Sequence, residues 1–266
     1  MLVFASFCPH APILIPEIGK GETKKVKNTI KALEILSKDI ETKEPETIVV
    51  ISPHALVYPD RINIIITPKL AGDFAQFNHD ELKFEFKNDL ELIEKITEIC
   101  EKENFPLVFT DNREVYFELD HGTLVPLYFL TKNFKPNIIS LAYSYQEREK
   151  LFDFGKFLFR AIQSVERPVA LIGSGDLSHR LIFTAPAGFS AVGKEFDQKI
   201  IEYLKSNQVE KILEMDEDFI EEAGECGYRS LIILLGALSS ISYQIKVLSY
   251  EGPFGVGYAV VKFDLK

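Results

Sequence analysis

Short apolar segments alternate with amphipathic segments along all 266 residues of the chain. The clearest apolar segment is Thr47–Ser52 (TIVVIS), whose four central residues are β-branched and apolar. Such a run is typical of a strand covered on both faces of a sheet. Segments with helical spacing of apolar residues, such as Lys20–Thr42 and Gln146–Val165, separate it from further apolar runs. The alternation predicts an α/β fold, with one domain (residues 1–266) built on a central mixed, mainly parallel sheet covered by helices on both faces.

The same patterns of apolar runs and helical spacing predict the remaining strands and helices. Further strands are predicted at Leu2–Phe7, Arg61–Thr67, Glu81–Phe86 (an exposed edge), Leu107–Thr110, Asn137–Ala142, Pro168–Ile172, Tyr243–Tyr250 and Val256–Phe263. Further helices are predicted at Leu90–Glu103, Thr123–Leu130, Phe189–Asn207 and Gly227–Leu238. The longest apolar stretch, Leu231–Leu238, is far shorter than the ~20 residues of a membrane span, so no membrane association is expected. The apolar N-terminus lacks the basic region of a signal peptide.

Charge and cysteine content narrow the classes of partner and compartment. The formal net charge is −10 and the sequence pI is about 5.1, so nucleic acid is an unfavourable partner. The three cysteines, Cys8, Cys100 and Cys226, are odd in number and widely spaced, which does not suit a disulfide framework. A reducing, cytoplasmic location is therefore predicted.

Four of the five histidines lie at the ends of predicted strands or beside a helix start. They occur in Cys8-Pro-His10-Ala-Pro12, Ser52-Pro-His54, Asp120-His121-Gly122 and Gly173-Ser-Gly-Asp176-Leu-Ser-His179. A single histidine in such a place is more often capped or solvated than functional. Four in equivalent places indicate one pocket, because sites of open α/β sheets form at the carboxyl ends of strands. The fifth, His79, has polar neighbours and is predicted to be a surface residue.

Two histidines with one carboxylate form the common non-haem iron site. The best carboxylate is Glu225, between Gly224 and Gly227 and directly before an apolar helix, although an acid in that place can also simply cap the helix. A nucleotide loop is disfavoured, because the Gly173–Asp176 stretch lacks the further glycine of the dinucleotide fingerprint and the Gly-Lys-Ser/Thr of a P-loop. A serine hydrolase is disfavoured because Ser174 falls one residue short of a nucleophile elbow.

Taken together, these motifs resemble the class III (LigB-type) extradiol ring-cleaving dioxygenases, and they are similar to the Memo proteins, which share that fold. The segment Glu225-Cys-Gly-Tyr-Arg229-Ser is most similar to LigB-like proteins of the AmmeMemoRadiSam group. The resemblance implies that His10, His54 and Glu225 hold the metal. It further implies that His179 is the catalytic base and that His121 is a second catalytic histidine in the pocket.

The implied reaction is the opening of a catechol-like aromatic ring by Fe(II) and O₂. His179 would take a proton from the substrate hydroxyl and return one later, and His121 would stabilise developing negative charge. Asp176 and Asp120 would orient neighbouring histidines. The partners implied are a small aromatic substrate and O₂, and a homodimer is plausible.

Two alternatives stay open at this point. One is a Memo-like copper- or iron-binding protein, redox-active through Cys226 or binding a peptide, without ring cleavage. The other is a zinc hydrolase using the same ligands. The presence of both His121 and His179 favours proton-transfer chemistry, whereas Cys226 beside Glu225 favours the Memo-like alternative.

Overall fold

A mixed sheet of eight strands forms the centre of the computed structural model, which describes residues 1–111 and 118–266. The strands in these ranges are β1 (Leu2–Cys8), β2 (Thr47–Ser52), β3 (Ile62–Ile65), β4 (Lys69–Phe74), β5 (His79–Lys87), β6 (Leu107–Thr110), β7 (Asn137–Ala142), β8 (Val169–Ser174), β9 (Tyr243–Glu251) and β10 (Tyr258–Leu265). The α-helices are α1 (Pro16–Gly19), α2 (Lys27–Lys43), α3 (Leu90–Lys102), α4 (His121–Leu130), α5 (Arg148–Ser164), α6 (Ala191–Lys205), α7 (Val209–Leu213), α8 (Glu217–Ala223) and α9 (Tyr228–Leu238). Short 3₁₀ turns occupy Pro12–Leu14, Lys20–Val26 and Ala75–Phe77.

The strand order of the large sheet is β6-β3-β7-β2-β8-β1-β10-β9. The pairs β6–β3, β7–β2, β2–β8 and β8–β1 are parallel, and the pairs β3–β7, β1–β10 and β10–β9 are antiparallel. The predicted mixed, mainly parallel sheet is thus confirmed. Because β8 lies between β1 and β2 and all three run in the same direction, their carboxyl ends meet at one edge of the sheet.

Helices cover both faces of the sheet, as the apolar strands predicted. Successive side chains of a strand point to opposite faces, and β2 shows this. Val49 and Ile51 pack into the core layer that contains α3, α5, α6 and α9. Ile48 and Val50 pack into the layer on the other face, which contains α2 and α4. All four side chains are fully buried.

The structure differs from the sequence prediction mainly in its short elements. The predicted edge strand Glu81–Phe86 lies within β5, which pairs with β4 in a separate two-stranded sheet. The sequence did not reveal β4, because KLAGDF contains Gly72 and Asp73 and shows little apolar alternation. The helices α7 and α8 were also missed, since five and seven residues are too few for a helical period to stand out.

Over the described residues, none of the helices is both long enough and apolar enough to span a bilayer.

Candidate metal centre

The parallel strands β1, β2 and β8 place polar residues at their common carboxyl edge. His10 follows β1 by two residues, His54 follows β2 by two, and Asp176 follows β8 by two. Open α/β sheets form their sites at this edge. Pro9 and Pro53 immediately precede the two histidines and restrict the backbone there. The Nδ1 of His10 lies 3.0 Å from the Oγ of Ser174 at the end of β8, and its Nε2 faces that of His54.

The two histidines and Cys226 bring three donor atoms together. The Nε2 atoms of His10 and His54 lie 3.0 Å apart, and the Sγ of Cys226 lies 3.4 Å from the Nε2 of His10. All three donor atoms lie within 4.8 Å of one another. Bond lengths at a tetrahedral metal with imidazole and thiolate ligands require donor separations of about 3.3–3.6 Å. The 3.4 Å separation falls in this range and the 3.0 Å separation is about 0.3 Å below it, so shifts of a few tenths of an ångström would fit the three donors to a transition-metal ion.

The tautomer of His10 is fixed by its hydrogen bonds. The hydroxyl of Ser174 donates to the carbonyl oxygen of Gly122 at 2.5 Å, and Ser174 Oγ lies 3.0 Å from Nδ1 of His10. Because the single hydroxyl proton is already used, Ser174 Oγ accepts a hydrogen bond from Nδ1–H of His10. The lone pair of this imidazole then resides on Nε2, which points at the other two donors. Outer partners of this kind orient metal-binding histidines and set their basicity.

We expect Ser174→Ala to weaken metal binding about 10–100-fold, because His10 loses the acceptor that holds its lone pair on Nε2. Isothermal titration of Zn²⁺ or Co²⁺ into the metal-free protein measures this change. Ser230→Ala is the matched control, since Ser230 is also fully buried but its hydroxyl lacks a partner in the described part of the chain. Equal affinities for the Ser174 variant and wild type would contradict the tautomer assignment.

The turn that carries His54 is tied to the start of α4. Asp120 accepts a hydrogen bond from the hydroxyl of Ser52 at 2.5 Å, and Ser52 Oγ in turn accepts from the backbone N–H of His54. Asp120 also accepts from the backbone N–H of Thr123, which caps α4. These hydrogen bonds are all with backbone and hydroxyl groups, so Asp120 positions His54 and His121 through their main chains.

All four predicted pocket histidines come together. The ring of His121 stacks on that of His54 with centroids 4.2 Å apart, and it lies 5.6 Å from the ring of His10. The Nε2 of His179 lies 3.5 Å from Cys226 Sγ. Burial lowers the pKa of His54 and of His179 to about 4, so both imidazoles are neutral at pH 7. His79, in contrast, lies on β5 and pairs with Glu81 at 2.6 Å.

Glu225 is buried beside the centre but is turned toward a helix start. Its side chain is 4% exposed, and its carboxylate accepts a hydrogen bond from the backbone N–H of Tyr228, the first residue of α9. Burial raises the pKa of Glu225 to about 7. Because successive side chains point in different directions, Glu225 faces the start of α9 while the thiol of the next residue, Cys226, faces the imidazoles. The assignment of Glu225 as the third ligand stays a prediction.

Asp176 and the Gly-Ser-Gly motif bring two segments into contact. Asp176 accepts a hydrogen bond from the backbone N–H of His10 at 3.0 Å, and its backbone N–H donates to Cys226 Sγ at 3.4 Å. A Cβ atom on Gly175 would lie 2.1 Å from the Cα of Gly227. Only glycine fits at this close approach, so the motif allows the segment that carries Cys226 to reach the end of β8.

Asp197 supports the turn that carries His179 and was not found from the sequence. It is fully buried on α6, where it accepts hydrogen bonds from the backbone N–H of Ser178 at 2.8 Å and from the hydroxyl of Tyr250 at 2.7 Å. Ser178 directly precedes His179, so Asp197 fixes the turn that carries this imidazole. The sequence did contain one indication of a buried acid here, because this carboxylate lies between Phe196 and Ile200 on the apolar face of an amphipathic helix.

Asp197 also predicts a pH dependence of stability. Burial, with the nearby charge of Glu225, raises its pKa to about 7, whereas an unfolded aspartate ionises near pH ~4. Protonated Asp197 makes its whole contribution to the free energy of unfolding below pH ~4, and this contribution is lost as the pH rises to about 7. The free energy of unfolding of wild type should therefore fall, relative to Asp197→Asn, by up to about 4 kcal/mol across this range. Urea unfolding at several pH values measures it.

The control for that experiment is Asp80→Asn, because Asp80 is exposed on β5. Its free energy of unfolding should differ from that of wild type by the same small amount at every pH. A pH-independent difference for Asp197→Asn as well would show that Asp197 is ionised in the folded protein.

A family model matches nearly the whole chain. The family model for the catalytic LigB subunit of aromatic ring-opening dioxygenase matches residues 4–261. The chain belongs to the LigB family. The predicted resemblance to LigB-type proteins is thereby confirmed, whereas the resemblance to Memo proteins stays a prediction.

Other proteins and a solved structure are also similar to this chain. A Clostridium acetobutylicum protein that carries only a locus name is 38% identical over 96% of this chain, but the match spans only 56% of that longer protein. The 2-aminophenol 1,6-dioxygenase alpha subunit of a Pseudomonas species is 23% identical over 99% of both chains. An uncharacterised Escherichia coli protein of known structure shares the fold, with a TM-score of 0.65, 15% identity and coverage of 97% of this chain and 98% of that one.

Proposed function

We propose that this chain is an Fe(II)-dependent extradiol-type dioxygenase that opens the ring of a catechol-like aromatic with O₂. The observation that carries the proposal is the pair of His10 and His54 Nε2 atoms, 3.0 Å apart, with His121 and His179 beside them. Two relatives are named as a 2-aminophenol 1,6-dioxygenase subunit and a 3,4-dihydroxyphenylacetate 2,3-dioxygenase. These names support an aromatic ring with two adjacent hydroxyl groups, or with one hydroxyl and one amino group, as the substrate.

His10, His54 and Cys226 would hold the metal, since their donor atoms are already close enough. Glu225 could replace Cys226 only if its carboxylate left the N–H of Tyr228. Bound Fe(II) would supply a Lewis acid for the substrate oxygens and a path for electrons to O₂. Three ligands grouped on one side of a metal leave positions open for small molecules, whichever residue is the third ligand.

The neighbouring histidines supply the proton chemistry. His179 is neutral at pH 7 and its Nε2 faces the centre, so it can accept the proton of a substrate hydroxyl and return it when the ring opens. His121 lies against His54 at the other side and can donate a hydrogen bond to a substrate oxygen that becomes negative. Phe77 packs edge-on against His121 with ring centroids 5.5 Å apart, which limits the orientations of that imidazole.

A second candidate function follows from the position of Cys226. Its thiol lies 3.4 Å from His10 Nε2 and 3.5 Å from His179 Nε2, and thiolates bind copper well. A Memo-like metal-binding redox protein would use this thiol without cleaving a ring. Cys8 is a poor candidate for such a role, because it is fully buried, its Sγ lies 3.4 Å from the hydroxyl oxygen of Ser6, and it does not belong to the group of three close donors.

The test separates the two functions by metal and by product. Protein purified without oxygen is loaded separately with Fe(II), Cu and Zn and then given catechol, 3,4-dihydroxyphenylacetate or 2-aminophenol in the presence of O₂. We expect oxygen uptake and a yellow ring-opened product from the Fe(II) form alone. If no compound consumes O₂ with Fe(II) and copper displaces iron, the dioxygenase proposal is wrong and the Memo-like function takes its place.

We also propose that the chain forms a homodimer. Two relatives are named as the alpha and beta subunits of a 2-aminophenol 1,6-dioxygenase, and each aligns with 99% of this chain. Two chains of this kind therefore belong to one enzyme in that case. Light scattering during gel filtration should give twice the chain mass of 30.2 kDa, and a monomer mass would contradict the proposal.

A further inference from the structure

The small sheet of β4 and β5 leaves one long strand edge unpaired. The outer edge of β4 is contacted by Leu119, whose backbone N–H donates to the carbonyl oxygen of Ala71 at 2.8 Å. Across residues 1–111 and 118–266, β5 pairs along its length with β4 alone, and Asn88, just past its end, bridges to Ile138. The outer edge of β5 therefore presents N–H and C=O groups that can pair with another strand.

The two faces of β5 differ in polarity. The residues of one face are apolar, namely Leu82, Phe84 and Phe86. On this face Phe84 packs against Tyr128 of α4, with ring centroids 6.5 Å apart. The residues of the opposite face are charged and exposed, namely Glu81, Lys83, Glu85 and Lys87. Their signs alternate along the strand, so each charge is followed two residues later by its opposite.

Most of these charges are not used inside the chain. Within the two described ranges, Lys83, Glu85 and Lys87 form no ion pair, whereas Glu81 pairs with His79 at 2.6 Å. A strand edge with unpaired charges of both signs can bind a strand whose charges are arranged in the opposite order.

The charge pattern of β5 is complementary to itself in an antiparallel arrangement. When two copies pair about Phe84, Lys83 of each copy lies opposite Glu85 of the other, and Lys87 lies opposite Glu81. Directly opposite residues of an antiparallel pair have Cβ atoms about 4.5–5.5 Å apart, and opposite charges at this distance stabilise the pair. A two-fold axis through the pair makes each of these contacts occur twice.

Neighbouring registers lose this complementarity. A shift of two residues in one direction sets Lys83 against itself and Glu81 against Glu85. The same shift in the other direction sets Glu85 against itself and Lys83 against Lys87. A shift of one residue puts the apolar side chains of the two strands on opposite faces. The sequence of β5 therefore favours a single register.

An open groove of about 640 Å³ runs beside this edge. Phe84, Phe86, Tyr128 and Phe134 are among the residues that line it. In the register centred on Phe84, Leu82 of each copy lies opposite Phe86 of the other on the same apolar face. The groove therefore offers aromatic surface to the apolar side chains of a second copy.

We propose that β5 forms the interface of the homodimer, pairing with β5 of a second copy to give a four-stranded sheet across a two-fold axis at Phe84. The proposal rests on the homodimer proposed above and is independent of the reaction. The net charge of −10 makes two copies repel each other in general, so an interface between them needs local complementarity of charge. The exposed face of β5 provides it.

Charge-reversal variants test the interface and its register. Lys83→Glu and Glu85→Lys each set like charges opposite each other twice, so each should raise the dissociation constant of the dimer by about 10-fold or more. An equimolar mixture of the two variants restores opposite charges at both positions and should form a heterodimer with nearly wild-type affinity. Sedimentation velocity over a dilution series measures the association, and circular dichroism checks that each variant is folded.

Lys246→Glu is the matched control, because Lys246 is an exposed lysine of β9, the other long edge strand. It pairs with Asp264 of its own chain at 2.5 Å, so its reversal should leave the dimer unchanged. A wild-type dimer that both β5 variants keep, or a mixture of the variants that stays monomeric, would overturn the β5 interface and leave the homodimer standing. A wild type that is monomeric at every concentration would contradict both the interface and the homodimer.

Discussion

His54→Ala is expected to lose its metal and all metal-dependent turnover while it stays folded. The Nε2 of His54 lies 3.0 Å from that of His10, so its removal takes away one of three close donors. The loss of affinity should exceed the ~10–100-fold typical of an outer partner such as Ser174. The side chain of His54 is accessible to solvent at the pocket surface although neighbouring groups desolvate its ring, whereas His10 is 1% exposed, so the His54 variant leaves no cavity in the core. Metal analysis after gel filtration measures the loss, and circular dichroism reports the fold.

Two near-isosteric variants, Cys226→Ser and Glu225→Gln, distinguish which of these neighbouring residues is the third metal ligand. If Cys226 holds the metal, Cys226→Ser lowers its affinity strongly, and Glu225→Gln leaves it within a few-fold of wild type. We expect this result, because the thiol lies beside His10 Nε2 while the Glu225 carboxylate is bonded to Tyr228. If Glu225→Gln instead lowers the metal affinity strongly and Cys226→Ser leaves it nearly unchanged, Glu225 is the third ligand. Metal retained by His54→Ala, in turn, would place the centre elsewhere.

The location of the site was predictable because it depends on strand direction. Apolar runs identified β1, β2 and β8, and parallel strands bring their following residues to one edge whatever the details of packing. His10 and His54 were found in this way from the sequence. The helix of Thr123–Leu130 was likewise predicted, although the structure begins α4 two residues earlier, at His121.

The identity of the closest third donor was not predictable from residue type. Glu225 and Cys226 are neighbours, and which one faces the imidazoles depends on how the backbone enters α9 and on the contact of Gly175 with Gly227. The partner of His10 was hidden for a similar reason. Ser174 is 164 positions away in sequence, and only the adjacency of β1 and β8 brings the two together. The local sequence pattern does not indicate which residues of two different strands come into contact.

His179→Ala should keep the metal and lower ring-opening turnover by about 10²–10⁴-fold, the usual contribution of a positioned general base. Its Nε2 faces Cys226 Sγ at 3.5 Å, but it does not belong to the group of three close donors. Its burial keeps the imidazole neutral at pH 7, since the pKa is lowered to about 4. Steady-state oxygen uptake with 3,4-dihydroxyphenylacetate, together with metal analysis of the same sample, measures both properties.

His79→Ala provides the control for that loss, because His79 lies on β5 and pairs with Glu81 instead of facing the centre. It should keep both metal and turnover. If His179→Ala loses the metal, then His179 is a ligand and the proton must be taken by another group, of which His121 is the nearest to His54 by ring contact. If it keeps both the metal and full turnover, no base is needed at this position. Only the combination of retained metal and lost turnover supports the division of the four histidines into two that bind the metal and two that act on the substrate.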